Sequence, residues 1–341
     1  MNSTMTDYVW GNAETQFFYQ LNPETILSSI DGLGFRTTGR CMALNSMENR
    51  VYEIEIETES SIASEHFLIA KFYRPGRWTK EQILEEHEFL KELQAEEISV
   101  IAPIEINGET LFSVPSHNLY FCIFPKQGGR APQDMNEEML QILGRLLARM
   151  HNIGAVKKAQ HRLHITPDTF GRQNLEFLLK SKAIPFHHEN SYKSLVEQIC
   201  NMSDPLFKNI EIHRIHGDCH WGNVIYREDR GAFFIDFDDM LMGPAVQDIW
   251  LLVPGDDEYA IRDRQTMIDA YNSMRGFDSK SLRLIEPLRS LRMIHFAAWI
   301  TKRWEDPAFK QAFAFYGTEQ YWGNQIQDLT NQLRKIGSGG F

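Results

Sequence analysis

A chain of 341 residues, 43% hydrophobic and 24% charged, has room for one large domain or two modest ones with real cores. Its 35 basic and 46 acidic side chains leave a formal charge of −11, which argues against nucleic acid or an anionic membrane as the main partner. Four scattered cysteines (Cys41, Cys122, Cys200, Cys219) form no CxxC pair, so no disulfide framework and a reducing compartment are expected.

The opening MNSTMTDYVWGNAETQ has no basic region followed by an apolar run, and no segment reaches the ~18 apolar residues that span a bilayer. A cytoplasmic protein is the expectation. In RVYEIEIET, Tyr52, Ile54 and Ile56 alternate with Glu53, Glu55 and Glu57, the period of a half-buried strand. HFLIAKFY follows after a polar loop, and together the two runs predict a hairpin. TKEQILEEHEFLKEL reads as a helix opened by a capping box of Thr79 and Gln82. Ile83, Glu86, Leu90 and Leu93 share one face of it, whereas Glu81, Glu85, Glu88 and Glu92 lie outside. An inward carboxylate is costly unless paired, and Lys71, a lone lysine in an apolar strand, is the partner this predicts. By itself a strand lysine is more often an edge or solvent-facing residue.

LYFCIFPKQGGR is a further strand that breaks at Pro125 and Gly128-Gly129, where the lobe boundary is expected. Beyond it the helical period takes over. Met139, Ile142, Leu143, Leu146, Leu147 and Met150 form a core-facing stripe with Gly154 as a stop, and the segment 280–335 is helical and aromatic-rich. The pattern predicts an α+β chain of two lobes: a β-rich N-terminal lobe over residues 1–127, including an N-terminal extension, and a mainly helical C-terminal lobe over 128–336. Residues 337–341, GSGGF, read as a tail.

The densest chemistry is IHGDCHWGN, residues 215–223. After it, VIYR and AFFI flank a four-residue turn, EDRG. Pairing Arg227 with Ala232 sets Asn223 opposite Asp236, and Asp218 lies on the loop feeding the same end. Two carboxylates and an amide oxygen are hard donors of the kind Mg²⁺ takes. Phosphoryl transfer divides labour in this way, with one Asp accepting the nucleophile's proton while an Asn and a second Asp hold the metal. Two other readings remain open at this point. His216, Asp218 and His220 could form a zinc cage, although no distant His or Cys cluster completes it. The stretch could also be a polar turn without chemistry. His216 alone reads as a buried histidine bonding loop backbone.

Lys71, Glu86, HGDxxxGN and IDFDD, in that order, resemble the aminoglycoside phosphotransferase and choline kinase branch of the protein-kinase-like fold, over about residues 30 to 300. NSMENRVYEI, KFYRPGRW, QILEEHEFLKEL, GPAVQDIWLL and KRWEDPAF are more closely similar to bacterial members described as Mg-dependent, ATP-using Ser/Thr protein kinases of stress responses. The resemblance implies a two-lobed, cytoplasmic kinase with ATP as donor, Mg²⁺ as cofactor and a protein acceptor, and a monomer is expected. It further implies catalytic roles for Asp218 and Asp236, with Asn223 and Asp236 as Mg²⁺ ligands. Lys71 and Glu86 match the phosphate-positioning ion pair, and Ser46 falls on the phosphate-covering loop. Asp248 matches a residue that braces the catalytic loop, with His216 in support.

The sequence departs from protein kinases in three places. The covering loop has no glycine, so Ser46 and Asn49 side chains would replace backbone donors. Gly217, not Arg, precedes Asp218. Residues 237–250 hold no Ser, Thr or Tyr, so an enzyme active as synthesised is expected, with any phosphate landing on exposed hydroxyls elsewhere. A small-molecule kinase for an amino alcohol, sugar or amino acid is the alternative enzyme. A non-catalytic nucleotide-binding scaffold is the alternative outside enzymes.

Overall fold

A computed structural model of the chain describes Phe18 and residues 21–114, 117–132 and 134–338. Most of the expected N-terminal extension, and residues 339–341 of the expected tail, lie outside the described residues. Two compact units are present: the described residues of Met1–Gln133 with Gly222–Asp238, and those of Asp134–Trp221 with Asp239–Phe341.

In the first unit, α1 (Pro23–Asp31) precedes the strands β1 (Thr37–Ala43), β2 (Arg50–Ile56) and β3 (Phe67–Phe72). Helix α2 (Lys80–Ala95) follows, then β4 (Phe112–Ser113) and β5 (Tyr120–Pro125). The sheet is antiparallel in the order β1-β2-β3-β5-β4. The predicted hairpin is the β2–β3 pair, in register Tyr52 to Ala70 and Val51 to Lys71. Ile54, Leu68, Phe72, Phe121 and Ile123 are buried on one core, where Phe72 stacks on Phe121 at 5.2 Å. Each such side chain contributes about 1.5–3 kcal/mol by leaving water. Helix α2 starts at the predicted capping box of Thr79 and Gln82, and its buried face includes Ile83, Glu86, Leu90 and Leu93.

Residues 222–238 were expected with the helical half, yet they fold with the first unit. They form the hairpin β7 (Val224–Arg227) and β8 (Gly231–Phe234). Phe234 N donates to Ser99 O at 3.1 Å, and Phe237 meets Phe89 edge-on at 6.1 Å. The boundary also falls after 133 rather than 127, because Arg130 and Tyr226 exchange backbone hydrogen bonds of 3.2 and 2.8 Å.

The second unit is mainly helical. It comprises α3 (Glu137–Gly154), α4 (Gln173–Lys180), α5 (Phe186–Ser203), α6 (Val246–Leu252), α7 (Glu258–Asn272), α8 (Ile285–Lys302), α9 (Pro307–Ala312) and α10 (Glu319–Gly337). Two short strands, β6 (His213–Ile215) and β9 (Leu241–Gly243), pair antiparallel. Helix α10 continues through Gly337, the first residue of the expected tail, and Ser338 caps it. Among the described residues no helix is long and apolar enough to cross a membrane.

Candidate active site

In the first unit, Lys71 sits on β3 between Val51 of β2 and Cys122 of β5, so its ammonium leaves a central strand and is buried. Glu86, on the inward face of α2, meets it at 3.4 Å and is buried as well. The predicted pairing is therefore present. Two further carboxylates approach the same ammonium, Asp238 at 3.0 Å and Asp236 at 3.6 Å. Burial disfavours the charge of Lys71, but Asp238, then Glu86 and Asp236, outweigh it and hold the ammonium well above the ordinary lysine value. Arg77, also buried, pairs with Asp238.

The β7–β8 hairpin corrects the predicted register by one residue. Arg227 pairs with Gly231 and Val224 with Phe234, so Asn223 stands opposite Ile235, whose N–H donates to Asn223 O at 3.0 Å. Gly231, at φ +80°, joins the strand instead of the turn, which shortens the loop to three residues. Asp236 lies two residues past the end of β8 at φ +61°, a left-handed conformation that is strained for a side chain other than glycine. Its carboxylate is the most open of those around Lys71, 57% exposed.

Ser46 is half-buried on the loop between β1 and β2. Arg74 grips that loop: its Nε donates to Glu48 O at 2.9 Å and its Nη2 to Met47 O at 3.4 Å. Asn49 does not offer its side chain as expected. It is buried, and its Oδ1 accepts from Arg74 N at 3.1 Å. A side-chain clamp thus shapes the loop that glycines shape in protein kinases.

The second unit holds the other motif residues. Asp248, in the first turn of α6, accepts from His216 N and Gly217 N, both at 2.9 Å. His151 Nε2 donates to the same carboxylate at 3.1 Å, and Tyr271 Oη donates to His151 Nδ1 at 3.0 Å. Gln247 adds a third tie, its Nε2 donating to Gly217 O at 3.1 Å. Gly217 is at φ +84°, and a Cβ there would collide with Asp239 O. The residue before Asp218 is glycine because backbone passes where a side chain would begin.

Asp218 Oδ1 pairs with Arg292 of α8 at 2.7 Å, and His220 Nε2 lies 3.5 Å from Oδ2. Burial alone would raise this carboxyl. Arg292, then His220 and His216, reverse that and hold it below the usual carboxylate range. His216 is fully buried and serves the loop through its backbone N–H.

The predicted residues thus assemble in two sets, Lys71, Glu86 and Asp236 in one unit and His216, Asp218 and Asp248 in the other. Asp238, Arg77, Gln247 and Arg292 went unassigned by sequence. For the first three a signal was present in IDFDD, KFYRPGRW and GPAVQD. Arg292 lies in an ordinary helical run that gives none.

Comparison with known proteins follows this geometry. The phosphotransferase enzyme family matches residues 41–285. Stress response kinase A of Escherichia coli (strain K12) is 36% identical over 320 residues, 94% of either chain. Serine/threonine protein kinase RdoA of Salmonella typhimurium (strain LT2) is 33% identical over 318 residues, 93% of this chain and 94% of that one. An amicoumacin kinase solved with AMP-PNP, Ca²⁺ and Ami has a TM-score of 0.73 at 19% identity, with 95% of each chain covered. A microcompartment-associated aminopropanol kinase has a TM-score of 0.63 at 16% identity, covering 92% of this chain and 98% of that one. These two distant structures share the fold, whereas the curated relatives match almost end to end. The chain belongs to the phosphotransferase enzyme family.

Proposed function

We propose that the chain is an ATP- and Mg²⁺-dependent kinase that phosphorylates serine or threonine of a protein, in the cytoplasm and in a stress response. The name of the Salmonella relative at 33% identity supports the acceptor class, and that of the Escherichia coli relative at 36% supports the stress response. The observation that carries the chemistry is the pairing of Lys71 with Glu86 beside the open Asp236, in a chain whose Asp218 is held ionised.

In the first unit, Asn223 just before β7 and Asp236 just after β8 flank the open end of one hairpin and offer an amide and a carboxylate oxygen, a set suited to a hard cation. Mg²⁺ held there supplies charge that neutralises nucleotide phosphates. Lys71, protonated throughout the physiological range, adds a permanent cation that Glu86 orients. Ser46, on a loop fixed by Arg74, covers the phosphates.

In the second unit, Asp218 takes the proton of the acceptor hydroxyl. Its Oδ1 is committed to Arg292 at 2.7 Å, so the hydroxyl approaches Oδ2 and displaces the longer His220 contact. Asp248 and Gln247 hold the loop that carries it. After Asp236 the chain enters a helical turn at Phe237–Asp239, then β9 and α6, which leaves no loop for a phosphorylation switch. This supports activity as synthesised.

Transfer from γ-labelled ATP into cell extract supplemented with purified small alcohols tests the reading, with label counted in protein and small-molecule fractions. Label in protein is expected. Label confined to small molecules would replace the acceptor with an amino alcohol, sugar or amino acid. Asp218→Asn should keep nucleotide binding while turnover falls by roughly 10²–10⁴-fold. Wild-type turnover in that folded variant would remove Asp218 from the mechanism.

A further inference from the structure

The second unit carries a cluster that this chemistry does not use. His187 and His188 stand in the first turn of α5, and Glu319 is the first residue of α10. His187 Nε2 lies 2.6 Å and His188 Nε2 3.3 Å from one oxygen, Glu319 Oε2. The two imidazole centroids are 4.1 Å apart. Among the described residues this is the one group of at least three His, Cys, Asp or Glu whose ligating atoms all lie within 4.8 Å of one another.

We propose that His187, His188 and Glu319 bind a divalent transition ion of the zinc type, with water in a fourth position. Two imidazoles and a carboxylate form a ligand set zinc accepts, and three protein ligands leave one position open. Imidazole nitrogen also selects against Mg²⁺, which prefers oxygen. Tetrahedral donors ~2.0–2.1 Å from an ion stand about 3.3 Å from each other. The His188–Glu319 spacing already has this value. The His187–Glu319 spacing must open by about 0.7 Å (3.3 − 2.6), which a small rotation of the exposed Glu319 side chain provides.

The helix starts that carry the ligands are fixed by what lies one turn further in. Tyr192 of α5 and Trp322 of α10, both fully buried, meet edge-to-face at 5.2 Å and 89°. The Thr318 side chain caps α10 by accepting from Tyr321 N at 3.2 Å. Little backbone ordering therefore remains when an ion arrives. The partial positive charge at both helix starts opposes a cation, and the Glu319 carboxylate offsets it, which sets a modest affinity. A bound ion would join the start of α5 to the start of α10. A simple ion pair of Glu319 with two histidines would share these contacts but take up no metal.

Zinc uptake by the full chain, measured by equilibrium dialysis in buffer with excess Mg²⁺, decides between them. Wild type is compared with Glu319→Gln and with the double variant His187→Ala, His188→Ala. Unchanged melting in zinc-free buffer shows that the variants fold. One zinc per wild-type chain is expected, bound at least ~10-fold more tightly than by either variant. Zinc should raise the melting midpoint of wild type alone, and phosphate transfer in zinc-free Mg²⁺ buffer should be equal in all three. Equal uptake by wild type and variants, or uptake by none, would overturn the proposal.

Discussion

The Arg292 guanidinium, 2.7 Å from Asp218, is the first of the charges that keep a buried carboxylate ionised. Its removal has a predictable sign. With a depressed value, Asp218 stays ionised as pH falls through the usual carboxylate range, and with Asp218 as the proposed base the acid limb of kcat/KM should lie low. Arg292→Met removes the first of the charges that oppose burial, so the carboxyl rises and the acid limb moves to higher pH. Arg292→Lys should restore most of the wild-type profile. An unchanged acid limb in folded Arg292→Met would assign that limb to another group. Lys71 offers a contrast at the same scale. It has three carboxylate neighbours, so losing one of them leaves its charge in place.

Two left-handed glycines separate backbone freedom from crowding at the scale of an element. Gly231 closes the β7–β8 turn at φ +80° with open space where a Cβ would go, whereas at Gly217 a Cβ would strike the Asp239 carbonyl. Gly231→Ala should cost about 1–2 kcal/mol in urea unfolding and leave turnover near wild type. Gly217→Ala must shift the loop that carries Asp218, and turnover should fall by at least ~10²-fold. Equal turnover in the two variants would mean that the loop tolerates displacement. The same hairpin shows where the sequence stopped being legible. The apolar runs VIYR and AFFI on either side of a turn revealed both strands, and Asp218, Asn223 and Asp236 stood out by type and spacing. The pairing nevertheless slipped by one, because EDRG does not reveal that its glycine belongs to the strand. Glu86 was readable because a carboxylate interrupted an apolar stripe. Arg292 was not, since a half-exposed arginine on α8 looks like any solvated residue and its partner is 74 positions away (292 − 218).

At the scale of the whole molecule, neither compact unit is a continuous stretch of chain, because residues 222–238 return to the first. A fragment ending at 133 lacks the partners of Ser99 and Phe89, so it should remain loosely packed, with broad NMR signals and easy proteolysis. Adding a peptide of residues 222–238 should tighten it, and sharp signals from the fragment alone would show that the hairpin is dispensable. The returning hairpin also sets an order in time. On the ribosome, the first unit must wait for residues 134–238, or 238 − 133 = 105 residues, before its last strands exist. At ~5–20 residues per second the delay is roughly 5–20 s. Throughout that interval the segment around Ser99 and the Phe89 face of α2 wait without Phe234 and Phe237, so the nascent chain should present surface that chaperones bind before the unit is complete.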